Sequence, residues 1–200
     1  MSQKEKIYEE VAEGKEICEK LCQKYPAELW AVRTEIVTVL GVKNKERPEK
    51  STKLAVCIPI KGIHKSLMQL NNINTRYVIE LYWSDYNKWT QAQKVAVIFH
   101  ELLHIDHEIG KTVKHDVEDF RLMVDKLGVD WFNDSKLPNL LDDKVEFDLS
   151  MRANVPEDGN MEVDTGDEIM DKKEEAVEEE GEEDEEGEER EDDKDDGELF

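Results

Sequence analysis

The chain has 200 residues, enough for one domain with a real core and an appendage. Its formal net charge is −23, but the charge is uneven: 25 of the 50 acidic residues and only 4 of the 27 basic ones lie between Glu157 and Phe200. Residues 1–156 are therefore close to neutral, and the expected organisation is a folded domain over 1–150 followed by a polyacidic segment, 157–200, too charged and too poor in apolar residues to fold alone. That segment repels phosphate, so no direct nucleic-acid binding by it is expected. No apolar run approaches the ~20 residues of a membrane span. The first residues, Met1-Ser2-Gln3-Lys4-Glu5-Lys6, lack the apolar stretch of a secretory signal, and three cysteines form an odd set. A reducing cytoplasm is the expected location.

Residues 4–24 read as a helix, with Ile7, Val11, Ile17, Cys18, Leu21 and Cys22 near helical spacing. Pro26 stops it. Cys18 and Cys22, four apart on its apolar side, read as core or semi-buried thiols, as does Cys57. Leu29 to Val42 suggests a short helix running into a strand. Lys43 to Lys53 is a charged loop, and Leu54 to Ile60 a strand with Leu54, Val56, Ile58 and Ile60 on one face, placed at a sheet edge by Pro59. Residues 62–75 read as polar and turn-like, with Asn71, Asn72 and Asn74. Tyr77 to Trp83 alternates as a strand should.

Thr90-Gln91-Ala92-Gln93 then fits a capping box, opening a helix expected to run to about Ile109 and stop at Gly110. A second helix is expected over about 115–126, ending near Gly128. Trp131, Phe132, Leu140, Leu141, Val145 and Phe147 remain to cover a core. Strands followed by helices imply an α+β domain, a short mixed or antiparallel sheet packed on helices.

The capped helix carries His100-Glu101-Leu102-Leu103-His104, an HExxH motif. Residues four apart share a helix face about 6 Å apart, so His100 and His104 can grip one metal ion. Glu101 beside them can act as general base on a metal-activated water. The flanks Val95, Ala96, Val97, Ile98, Phe99, Leu102, Leu103 and Ile105 are apolar, and ionisable groups in such a helix need partners. A catalytic zinc ion takes three protein ligands. The candidates are His115, Glu118, Asp119 and His107. His115 is favoured because it lies beyond Gly110, where the chain can turn back over the pair. His107 sits ~10 Å further along a straight helix than His100. His64, in the polar segment, reads as structural or exposed.

Val97-Ile98-Phe99-His100-Glu101-Leu102-Leu103-His104-Ile105, followed by His115-Asp116-Val117-Glu118-Asp119-Phe120, resembles the phage metallopeptidase family and, more distantly, the SprT-like zinc peptidases. The segment Tyr77-Val78-Ile79-Glu80-Leu81-Tyr82-Trp83 is similar to the strand that family places before its active-site helix, and the resemblance spans about 26–130. It implies a minimal zincin-like fold, Zn2+ on His100, His104 and His115, Glu101 as catalytic base, and hydrolysis of peptide bonds. It also implies a protein or peptide substrate added as a strand at a sheet edge, and a phage or prophage origin in the cytoplasm of a bacterial host. The alternative is a non-catalytic, zinc-stabilised interaction protein whose acidic segment docks on a basic partner or mimics nucleic acid. The two differ at Glu101, which only the enzyme needs.

Overall fold

The computed structural model describes residues 5–44, 53–115, 117 and 119–151. The acidic segment 157–200, most of the 43–53 loop, and Glu118 lie outside the described residues.

Four strands form one mixed sheet, an α+β architecture. The strands are β1 (Tyr8–Glu10), β2 (Val37–Val42), β3 (Ala55–Pro59) and β4 (Tyr77–Tyr82), ordered β1-β2-β4-β3. β2 and β4 lie parallel at the centre, Val37 opposite Tyr77 through Val42 opposite Tyr82. β1 and β3 are antiparallel edges. Central strands covered on both faces need apolar side chains throughout, and in β4 every residue from Tyr77 to Leu81 is buried. Tyr77, Ile79 and Leu81 join the main core.

That core lies between the sheet and two helices, α1 (Ala12–Lys24) and α4 (Gln91–Leu103). α1 comes close to β2 because Gly14 lacks a side chain: a Cβ there would lie 2.7 Å from Val39 Cγ1. Its apolar side buries Ile17, Cys18 and Leu21. Cys18 is buried, Cys22 and Cys57 are partly buried, and all three are free thiols, as expected.

The expected helix over 4–24 begins only at Ala12. Residues 8–10 form β1 instead, because long-range contacts outweigh the local helical period. Glu80, on the sheet face away from the helices, is 5% exposed and accepts hydrogen bonds from Lys6 Nζ at 2.6 Å and Tyr8 OH at 2.8 Å. A buried carboxylate requires such partners, and supplying them draws the N-terminal residues onto the sheet edge. Asn44 adds two bonds, accepting from Ile7 N–H at 2.7 Å and donating to the Glu5 carbonyl at 2.6 Å.

Three further expectations shift. The stretch before β2 is a series of turns and one 3-10 turn, Thr34–Ile36, rather than a helix. The 62–75 segment contains α2 (Gly62–Leu70), a helix with no buried residue. Its Ile63, Leu67 and Leu70 fall at i, i+4 and i+7 and are all exposed. β3 is an edge strand as Pro59 implied, but it turns Ala55 and Cys57 to the core and leaves Ile58 exposed, the reverse of the expected face.

After a short helix, α3 (Trp83–Tyr86), the capping box appears as expected. Thr90 Oγ1 accepts from Gln93 N–H, and the Gln93 side chain accepts from Thr90 N–H at 2.9 Å. α4 ends at Leu103, six residues before the expected Ile109. The chain reverses there, Ile105 bridging Thr112, with Gly110 (φ +89) inside the return. Gly110 is thus the turn of a loop and not a helix stop. The described residues between 113 and 120 are non-helical, so the second helix, α5 (Arg121–Leu127), starts later than the expected 115, and it ends at Gly128 (φ +89), as expected. Trp131 and Leu140 are buried, and Phe132, Leu141, Val145 and Phe147 pack on the same core. Among the described residues no helix is long and apolar enough to cross a membrane.

Candidate metal centre

α4 is apolar on nearly every side because it lies in the core: Val95 to Phe99, Leu102 and Leu103 are all buried. His100 and Glu101 belong to its last turn, and His104 caps it. The i, i+4 spacing sets the His100 and His104 rings 5.2 Å apart between centroids. The loop beyond Gly110 brings His115 over both. Its Nε2 lies 3.1 Å from His100 Nε2 and 3.1 Å from His104 Nε2. Among the described residues these three make the cluster able to hold a metal ion.

The other ring nitrogens decide what the facing ones can do. His104 Nδ1 lies 2.7 Å from the Val113 carbonyl oxygen, an acceptor only, so Nδ1 carries the proton and Nε2 presents a lone pair. His100 Nδ1 lies 2.9 Å from Asp119 Oδ1, an ion-pair distance at which the carboxylate favours the proton on the same nitrogen. Two bare nitrogens thus point at the His115 nitrogen across 3.1 Å, an arrangement that a shared cation resolves. A tetrahedral ion with nitrogen bonds of ~2.0–2.1 Å sets its ligands about 3.3–3.4 Å apart, close to the spacing found. Neutral imidazoles are also a suitable donor set for a divalent transition ion. The residues fit a metal ion.

Phe120 closes the inner side. Its ring packs edge-on against all three imidazoles, at 5.3, 4.8 and 5.0 Å from His100, His104 and His115. The buried setting shapes the protonation of the metal-free chain. Burial, joined by the neighbouring imidazoles, pushes His104 down to about 4, so it stays neutral. For His100, burial works downward, but the Asp119 hydrogen bond and the Glu101 and Asp119 charges raise its pKa. Asp119 is pulled to about 2: burial opposes ionisation, but His100, Trp131 Nε1–H and Phe120 N–H all stabilise the anion.

Glu101 is 4% exposed and faces β3. The Ile60 N–H donates to the Arg76 carbonyl at 2.7 Å, and with the β3–β4 register this puts Ile58 and Val56 in the inward hydrogen-bonding positions. The Cys57 amide then points away from β4, on the side of Glu101, where it favours the ionised carboxyl. Pro59, with no N–H, occupies the next outward position. Burial pushes the Glu101 carboxyl up to about 7, against the opposing pull of His100 and the Cys57 N–H.

The remaining candidates fall elsewhere. His107 is off the helix, 2.7 Å from Asp106 and stacked on Trp30. His64 is exposed on α2. Asp119 turns both oxygens to protein donors, Oδ1 to His100 and Phe120 N–H, Oδ2 to Trp131 Nε1–H at 2.7 Å. It stands behind His100 as a support. Glu118 lies outside the described residues. Sequence reasoning weighed Asp119 only as a ligand, and it missed Val113, Phe120 and Trp131 as parts of the site. A backbone carbonyl leaves no trace in residue type, but an acid four residues past His115 and a tryptophan with one donor are the signals that could have been read.

No curated protein and no solved structure matches the chain. The family model described as "Putative phage metallopeptidase" matches residues 6–143. That span takes in the sheet, α4, the three histidines and the supporting Asp119 and Trp131, and the chain belongs to this metallopeptidase family.

Proposed function

We propose that the chain is a zinc-dependent peptidase of phage or prophage origin, with His100, His104 and His115 holding the ion and Glu101 as general base. One observation carries the reading: His100 Nε2 and His104 Nε2 each lie 3.1 Å from His115 Nε2, and the far nitrogens of the first two face the Asp119 carboxylate and the Val113 carbonyl. Family membership supports the peptidase assignment, and the all-nitrogen donor set favours zinc.

When bound, zinc acts as a Lewis acid that lowers the pKa of water towards 7 and polarises a carbonyl. The chain does the rest. Asp119 and the Val113 carbonyl hold the rings in the required tautomer. Glu101, with its pKa raised by burial to about 7, is matched to taking a proton from the attacking water and returning it to the departing amine. Among the described residues the outer edge of β3 pairs with no strand, and Ala55 turns its backbone groups outward there, near Glu101. An extended peptide can pair there through its own backbone, which suits a protein or peptide substrate.

The test is Glu101→Gln against a panel of unfolded proteins and peptides. The variant is expected to keep its zinc and fold while losing cleavage by at least ~100-fold, the scale of general acid–base catalysis. Wild-type chain that loads zinc yet cleaves nothing in the panel would favour the zinc-stabilised interaction protein instead.

A further inference from the structure

We propose that the Tyr77 hydroxyl is a positioning group for His104, acting through the loop that returns from the end of α4. The inference rests on the reading of His104 as a metal ligand.

Tyr77 opens β4, and its side chain is wholly buried in the core. The hydroxyl reaches the backbone of the 105–113 loop. It accepts the Gly110 N–H at 2.8 Å and lies 3.0 Å from the Lys111 carbonyl oxygen and 3.3 Å from that of Glu108. A hydroxyl has one proton to donate, and the nearer Lys111 oxygen is its acceptor. The loop is a tight return: Ile105 bridges Thr112, the Lys111 N–H donates to the Glu108 carbonyl at 3.0 Å, and Gly110 sits at φ +89.

Two residues beyond Lys111 the loop closes on His104 twice. The Val113 N–H donates to the His104 carbonyl at 2.8 Å, and the Val113 carbonyl faces His104 Nδ1 at 2.7 Å. The second contact selects the tautomer that leaves Nε2 bare. Hydrogen bonds at either end, joined by the covalent backbone from Lys111 to Val113, therefore connect Tyr77 on the sheet to the nitrogen that sets the His104 ring. The ring of a phenylalanine would fill the same space in the core, so the hydroxyl serves the loop and not the packing. Without it, Gly110 N–H and the Lys111 carbonyl lose a fixed partner. The Val113 oxygen is then less firmly held, and the His104 ring populates the tautomer with Nε2–H, which cannot bind a metal.

The experiment uses the full chain and its Tyr77→Phe variant, with two readouts: zinc affinity by chelator competition, and the His104 tautomer from imidazole nitrogen shifts of the metal-free protein. Tyr77→Phe is expected to bind zinc about tenfold more weakly, the scale of losing an outer partner of a ligand, with a mixed His104 tautomer. Gly110→Ala, where the new Cβ meets nothing within 4 Å but the φ of +89 is strained, is expected to weaken zinc through the same loop. Zinc affinity within twofold of wild type in Tyr77→Phe, or an unchanged His104 tautomer, overturns the proposal. If Tyr77→Phe fails to fold, Gly110→Ala decides on the same two criteria. Absence of zinc binding by wild type would defeat the ligand reading, and the metal-free tautomer would still decide whether Tyr77 positions the ring.

Discussion

Asp119 Oδ1 stands 2.9 Å from His100 Nδ1, and the second oxygen of the same carboxylate accepts Trp131 Nε1–H at 2.7 Å. The carboxylate thereby joins the last turn of α4 to the segment after α5 through one partly buried anion. Two neutral or weakly basic donors and the Phe120 N–H keep it ionised, with its pKa near 2. An anion so held raises the basicity of the imidazole it touches and fixes the ring against rotation.

Asp119→Asn removes that charge while leaving an oxygen that can still accept from His100. Metal affinity is expected to fall about 10–100-fold, measured by chelator competition. Asp119→Ala should lose at least as much, because it also leaves Trp131 Nε1 without its acceptor. Affinity within twofold of wild type in both variants would count against the support role.

The stability of the metal-free chain against pH isolates Glu101. Burial raises its folded-state pKa to about 7, against the ordinary carboxyl value of 4.5 in the unfolded chain. Between those values the folded chain holds a proton that the unfolded chain has lost, so this contribution falls as pH rises from about 4.5 to about 7 and is gone above it. His104 acts in the opposite sense: its pKa is lowered from 6.5 to about 4, so its contribution is present above about 6.5 and lost as pH falls towards 4. The two partly cancel in wild type. Glu101→Gln removes the first and also the charge that helps to raise His100, so denaturant melts of the metal-free variant should show stability that falls less with pH across this window than that of wild type. An identical pH profile for variant and wild type would contradict the raised Glu101 pKa.

Leu140 is wholly buried, and its carbonyl accepts the Tyr25 OH at 2.8 Å. Residues after α5 are thus part of the core. Leu140→Ala leaves that hydrogen bond and empties the side-chain space, which is expected to cost about 2–5 kcal/mol of unfolding free energy. Denaturant titration checks it, and a loss under 1 kcal/mol would mean that the segment adds little to the fold.

Thr90→Ala removes one half of the capping box that opens α4. The expected loss is about 1 kcal/mol, read as a fall of a few degrees in the melting temperature, with metal affinity unchanged because the cap lies at the opposite end of the helix from His100 and His104.

Local chemistry made much of this legible in advance. The Thr90 box, the edge position implied by Pro59, the strand over Tyr77–Tyr82 and the Gly128 terminus each depend on a few neighbouring residues and appear as read, although β4 is buried on both faces and Trp83 already opens α3. The chain reversal that sets His115 against His100 and His104 also followed from Gly110 and the spacing, although the helix ends sooner than its apolar pattern suggested. What escaped depends on distant partners. Residues 8–10 leave a helical pattern because Glu80, 72 positions beyond Tyr8, needs Tyr8 and Lys6. The buried face of β3 is chosen by its register with β4, and a shift of one residue exchanges the faces. The three asparagines of 62–75 masked the spacing of Ile63, Leu67 and Leu70 that marks α2. Asp119 and Val113 act through atoms whose role appears only once the loop is folded.

Metal content of the purified chain tests the central claim most directly, measured by mass spectrometry on wild type, His104→Ala and His115→Ala. The account predicts about one zinc per chain in wild type, the complement of a single three-histidine site, and its loss in both variants. Full zinc retention in His115→Ala, or a wild-type chain with no metal, would contradict it.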